Sequence, residues 1–100
     1  MKYFDEDGYP TEEALDEVAN FDCCSDLYGF LSLIENLWNY PERFVLEENK
    51  LYLSTGGWSG NEEIISYMQE NFFWRLSWEK SIRGGHYWFD LSVFNKDKGK

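Results

Sequence analysis

Apolar residues along this chain recur first at helical spacing, then alternate, then return to helical spacing and alternate again. In residues 11–21, Ala14, Leu15, Val18 and Phe21 fall on one side of a short helix. Thr11, following Pro10, stands where an N-cap oxygen is needed, and Glu12 and Glu13 suit the positive end of the helix dipole. Across residues 25–40, Leu27, Phe30, Leu31, Ile34, Leu37 and Trp38 form one buried stripe, which Pro41 ends. Residues 43–54 switch to a period of two and predict two short strands about Glu48-Asn49, with Asn49 taking the left-handed turn conformation. Ile64, Ile65, Met68 and Phe72 then share a face of a helix of about a dozen residues that begins near Asn61. Beyond it Trp74, Leu76 and Trp78 alternate with Arg75, Ser77 and Glu79. After a turn at Arg83-Gly84-Gly85, Tyr87, Phe89, Leu91 and Val93 alternate with Trp88, Asp90 and Ser92. This pattern predicts a long antiparallel hairpin with a frayed polar tail over residues 95–100.

The predicted order is α-α-β-β-α-β-β, an α+β two-layer sandwich in one domain spanning residues 1–100, after an acidic leader over residues 1–10. Its helices are expected on one face of a mainly antiparallel four-stranded sheet. If the strand ending at Ser54 runs up the sheet, the next helix runs down and the strand from Phe73 runs up again as its parallel partner. A helix of about 12 residues at ~1.5 Å per residue covers roughly 18 Å, the length of five or six strand residues at ~3.3 Å. The turn RGGH and the loop GGWSG are therefore expected side by side at one end of the sheet, where sheets with helical crossovers commonly hold ligands.

Aromatic residues make up 20% of the chain, which excludes the low-hydrophobicity class of disordered proteins. The charge is lopsided. Residues 1–50 hold 3 basic and 13 acidic residues, whereas residues 51–100 hold 6 of each, so the whole net charge of −10 belongs to the first half. Such a surface repels nucleic-acid phosphates and attracts basic partners, although a charged face kept for solubility is the plainer reading. No apolar run approaches the roughly 18 residues that span a bilayer, and MKYFDEDGYP is acidic where a signal peptide is basic, so a soluble cytoplasmic protein is expected. Cys23 and Cys24 are adjacent, poorly spaced for bridging each other, and are expected as reduced thiols. No metal-ligand set and no cofactor are expected.

The GGWSG loop invites a ligand because Gly56, Gly57 and Gly60 let the backbone turn its N–H groups toward a guest. Its spacing matches neither the dinucleotide fingerprint nor the P-loop. Ser59 with Glu62 fits a capping box, and Glu62 and Glu63 put negative charge at the helix start, which opposes a bare phosphate. Arg83 and His86, from the adjacent turn, favour a larger anion. Trp58 reads either as a lid folded onto the core or as a platform for a flat ring, and His86 as a structural or a ligand-facing group. Arg83 paired with Glu62 or Glu63 makes the convergence an electrostatic latch instead. With one histidine and no positioned nucleophile, a Glu62–His86 acid–base pair is the sole catalytic arrangement that suggests itself, and a non-enzymatic protein is the expectation.

The segments TGGWSGNEEII and RGGHYWF, with Phe73-Trp74, Trp78 and Ser81 between them, resemble a group of small uncharacterised proteins of phages and prophages. The resemblance runs over residues 53–91 and carries Gly56, Gly57, Trp58, Ser59, Gly60, Asn61, Glu62, Arg83, Gly84, Gly85 and His86 as shared positions. It implies phage origin more than mechanism; because small acidic phage proteins commonly act by binding host components, a non-enzymatic binding protein that counteracts host defence is the first expectation. Two mechanisms stand open. One captures a nucleotide-like or phosphorylated ligand at Gly56, Gly57, Trp58, Ser59, Gly60, Asn61, Glu62, Arg83 and His86. The other occupies a basic surface of a host protein, as a nucleic-acid mimic, through Asp5, Glu6, Asp7, Glu12, Glu13, Asp16 and Glu17. A structural or assembly module is the third reading. No direct nucleic-acid or membrane partner is expected, and the aromatic content allows a homodimer.

Overall fold

A computed structural model describes residues 3–94. Helix α1 (Glu12–Asn20) starts where the Thr11 hydroxyl accepts the Ala14 N–H, and it buries Ala14, Leu15 and Val18. Helix α2 (Leu27–Leu37) starts at Asp26, whose carboxylate accepts the Gly29 N–H, and it buries Phe30, Leu31, Leu33, Ile34 and Leu37. A short 3₁₀ turn (Pro41–Arg43) leads into the hairpin of β1 (Phe44–Glu47) and β2 (Lys50–Ser54). Helix α3 (Ser59–Met68), helix α4 (Phe72–Ser77) and the hairpin of β3 (Trp78–Ile82) and β4 (His86–Asp90) complete the chain. The expected order of elements holds, with one extra helix between α3 and β3.

The sheet order is β1-β2-β4-β3, and every neighbouring pair is antiparallel. Strand β3 does run in the same direction as β2, but β4 lies between them, so the expected parallel partnership is replaced by two antiparallel pairings. The helices cover the face that carries Leu51, Leu53 and Phe89, all fully buried in one cluster with Phe30, Ile34, Leu37, Ile64, Met68 and Phe73. Alternate residues of the same strands, Tyr52, His86 and Trp88, point to the other face. The leader is more than an acidic tail. Phe4 bridges to Pro10 around a turn in which the Asp5 carboxylate accepts the Asp7 and Tyr9 N–H groups, and Tyr3 and Phe4 pack on the core.

Three local expectations are corrected. Residues 72–77 alternate in polarity yet form a helix, because the Asn71 side chain caps its start by accepting the Phe73 N–H; within it the buried Ser77 hydroxyl is satisfied by the Phe73 carbonyl at 2.5 Å. That turn buries Phe73 and leaves Phe72 68% exposed, so Phe72 is not part of the α3 apolar face. In the first hairpin the left-handed residue is Glu48, at φ 52°, not Asn49. Strand β4 stops at Asp90 rather than continuing to Val93, because the Asp90 carboxylate accepts both the N–H and the hydroxyl of Ser92. Phe94 then stacks on Phe73 with centroids 5.8 Å apart. The expected frayed tail lies outside the described residues.

Candidate functional site

The two glycine turns do meet. Ser54 pairs with His86 across β2 and β4, and the Thr55 N–H donates to the Gly85 carbonyl at 3.0 Å. The contact is so close that a Cβ on Gly85, which has φ +85°, would sit 2.2 Å from Thr55 Oγ1. Glycine is required there by close approach as well as by backbone conformation.

The first turn is an engaged corner. Gly57 N–H donates to Thr55 Oγ1 and Trp58 N–H to the Thr55 carbonyl, so two of the amides expected to face a guest are occupied internally. Asn61 is fully buried; its Oδ1 accepts the Asn39 N–H, and its Nδ2 donates to the carbonyls of Asn39 and Thr55. The two bonds to Asn39 tie the loop to the segment just past α2, and the bond to Thr55 closes the loop on itself. Ser59 does not form a capping box with Glu62, because α3 begins one residue earlier than that box requires. Trp58 is its N-cap without a side-chain bond, and the Ser59 hydroxyl donates to Tyr9 Oη at 3.2 Å. The Trp58 ring is folded back, lying so near Gly60 that a Cβ there would be 2.2 Å from the ring, and facing Tyr9 with centroids 5.2 Å apart. The side chain of Arg43, a residue not anticipated at this end, approaches Gly56, donates to Ser54 Oγ at 3.3 Å and lies over the Tyr40 ring.

The second turn sends its side chains elsewhere. His86 lies on the outer face of the sheet, where it shares a hydrogen bond of 2.7 Å with the Tyr52 hydroxyl and stacks on that ring. Trp88 joins the group 5.0 Å from Tyr52, and Lys80 Nζ sits 4.7 Å above Trp88. Glu62 and His86 therefore share no contact that makes an acid–base pair. Arg83 lines an open cleft of about 490 Å³ on the helix side of the hairpin, with Gln69, Trp74, Trp78, Ser81 and Tyr87 among its other walls. The expected latch is not formed: among the described residues both ion pairs belong to Lys50, with Glu79 at 3.0 Å and Asp90 at 3.5 Å. Glu62 and Glu63 are exposed, as is Arg83, whose guanidinium has no charged partner there.

Two of the further clefts among the described residues lie beside the helix ends. One, of about 470 Å³, lies on the Trp58 side and is lined by Phe4, Gly8, Trp38, Asn39 and Trp58. The other, of about 490 Å³, lies beside the cysteines and Asn71. There Cys23 is buried and donates to Asn71 Oδ1, and burial, reinforced by Cys24 and Asp22, pushes its thiol up to about 12. It stays a protonated packing group, while Cys24 is exposed. Asn71 also donates to the carbonyls of Val18 and Phe21. Among the described residues no group of three or more His, Cys, Asp or Glu is placed to hold a metal ion, and no helix is long and apolar enough to cross a membrane. No protein-family model, curated protein or solved structure shows a significant match to the chain.

Proposed function

We propose that this is a non-enzymatic binding protein that captures a planar anionic ligand, nucleotide-like or phosphorylated, in the cleft beneath the β3–β4 turn. The observation that carries the reading is a guanidinium with no charged partner among the described residues, in a cleft whose walls include Trp74, Trp78 and Tyr87. An arginine offers a fixed fork of donors to a phosphate or carboxylate, and indole and phenol rings offer flat apolar surface to a base or similar group. The stacking role passes from Trp58, which is folded onto Gly60, to Trp74 and Trp78. Gln69 supplies a polar edge with which to select among rings. The resemblance to phage proteins supports a cytoplasmic role against host defence.

The test is mass spectrometry of the protein purified from host cells, natively and then denatured. Wild type is expected to release a small molecule that the Arg83→Ala variant lacks. No retained mass in wild type, or the same mass retained by both proteins, overturns the reading.

A second reading is favoured by its own observation. Asp5, Glu6, Asp7, Glu12, Glu13 and Asp16 are exposed, Glu17 is half-buried, and none of the seven joins an ion pair among the described residues. A carboxylate surface without internal cations suits a basic surface on a host protein. Reversing the charges of Glu12, Glu13, Asp16 and Glu17 abolishes partner binding under this reading and leaves capture of a small ligand intact.

A further inference from the structure

The cleft on the Trp58 side has no part in the Arg83 site, and its two surroundings differ sharply in character. Its walls are Phe4, Gly8, Trp38, Asn39 and Trp58, three of them large aromatic side chains. Its border is the turn from Asp5 to Tyr9, which makes one wall through Phe4 and Gly8 and carries exposed Glu6 and Asp7. The Asp5 carboxylate is held by the Asp7 and Tyr9 amides, so the turn is braced from within and its other two carboxylates face water. Glu12 and Glu13 follow directly, at the exposed start of α1. Arg43, the cation nearest in sequence to Asn39, is engaged by Tyr40 and Ser54 and is not a wall of the cleft.

From this pairing of an aromatic cleft with an acidic border we infer a docking site for a basic peptide segment of a partner protein. One aromatic or aliphatic side chain of the segment inserts between Trp58, Trp38 and Phe4, and its flanking Lys or Arg residues meet Glu6, Asp7, Glu12 and Glu13. The inference rests on the acidic-face reading and adds to it the anchor that turns charge attraction into recognition. It is independent of Arg83.

The probes are short fluorescein-labelled peptides with a central Trp, Leu or Ala flanked by lysines, together with glutamate-flanked counterparts, titrated by fluorescence anisotropy. The lysine-flanked Trp peptide is expected to bind at least about tenfold more tightly than the Ala peptide, the difference one buried large side chain makes. Trp58→Ala is expected to erase that difference, and the surface variant Glu6→Lys with Asp7→Lys is expected to weaken all lysine-flanked peptides about tenfold or more. Equal affinity for Trp- and Ala-centred peptides in wild type overturns the anchor while sparing the acidic-face reading. Equal binding of glutamate-flanked peptides overturns both. Should Trp58→Ala fail to fold by circular dichroism, the Trp-against-Ala comparison and the charge-reversed variant decide the matter.

Discussion

The loop after β2 and the turn before β4 are both glycine-rich, lie side by side and share a backbone hydrogen bond, yet they do opposite things. The first closes on itself: its amides bond to Thr55, Asn61 clamps it to Asn39 just past α2, and Trp58 folds over Gly60. The second opens outward, presenting Arg83 to an aromatic cleft on one face of the sheet and His86 to Tyr52 on the other. Glycine in one turn serves the approach of its neighbour: Gly85 makes room for Thr55. A glycine-rich stretch therefore says that backbones come close, and only the direction of the side chains says whether a ligand comes close as well.

If the first turn is a clamped corner, the largest loss of stability should come from its clamp. Asn61→Ala leaves the Thr55 carbonyl and both Asn39 backbone groups without their partner, at a cost of roughly 3 kcal/mol in urea unfolding. Gly85→Ala combines a left-handed backbone with overlap on Thr55 and should cost about 2 kcal/mol. Gly57→Ala meets nothing within 4 Å and carries only the conformational penalty, about 1 kcal/mol. If Gly57→Ala proves as costly as Gly85→Ala, close approach is not what distinguishes the two turns. Arg83→Ala should change stability least, by under about 0.5 kcal/mol, because the side chain is exposed and forms no ion pair among the described residues, while removing ligand capture altogether. A large stability loss there would mean that the arginine is structural.

Much of the fold was legible because long stripes of apolar residues leave few alternatives. The α2 stripe from Phe30 to Leu37 is buried as its spacing requires, and Leu51, Leu53 and Phe89 face the core as alternation requires. The meeting of the two turns followed from matching helix and strand lengths, even though β4 and not β3 adjoins β2. Residues 72–77 misled because three alternating positions, Trp74, Leu76 and Trp78, are too few to separate a strand from a helical turn. The deciding bond is the Asn71 cap on the Phe73 N–H. Arg43 was within reach of the sequence: counting outward from Glu48-Asn49 along the β1–β2 pairing sets it opposite Ser54, beside the glycine loop. What no pattern reveals is where a side chain points after a glycine turn, since each left-handed residue redirects the chain. The separation of Trp58, Arg83 and His86 into three surroundings therefore had to be seen in three dimensions.

The chain holds five tryptophans, and each indole N–H gives its own signal in a proton–nitrogen correlation spectrum, so the proposed ligand site can be tested tryptophan by tryptophan. On titration with a nucleoside monophosphate, the signals of Trp74 and Trp78 should move in wild type and stay still in Arg83→Ala, with Trp58 unmoved in both. Movement of Trp58 in place of Trp74 and Trp78, or no movement of any indole in wild type, would contradict a site beneath the β3–β4 turn.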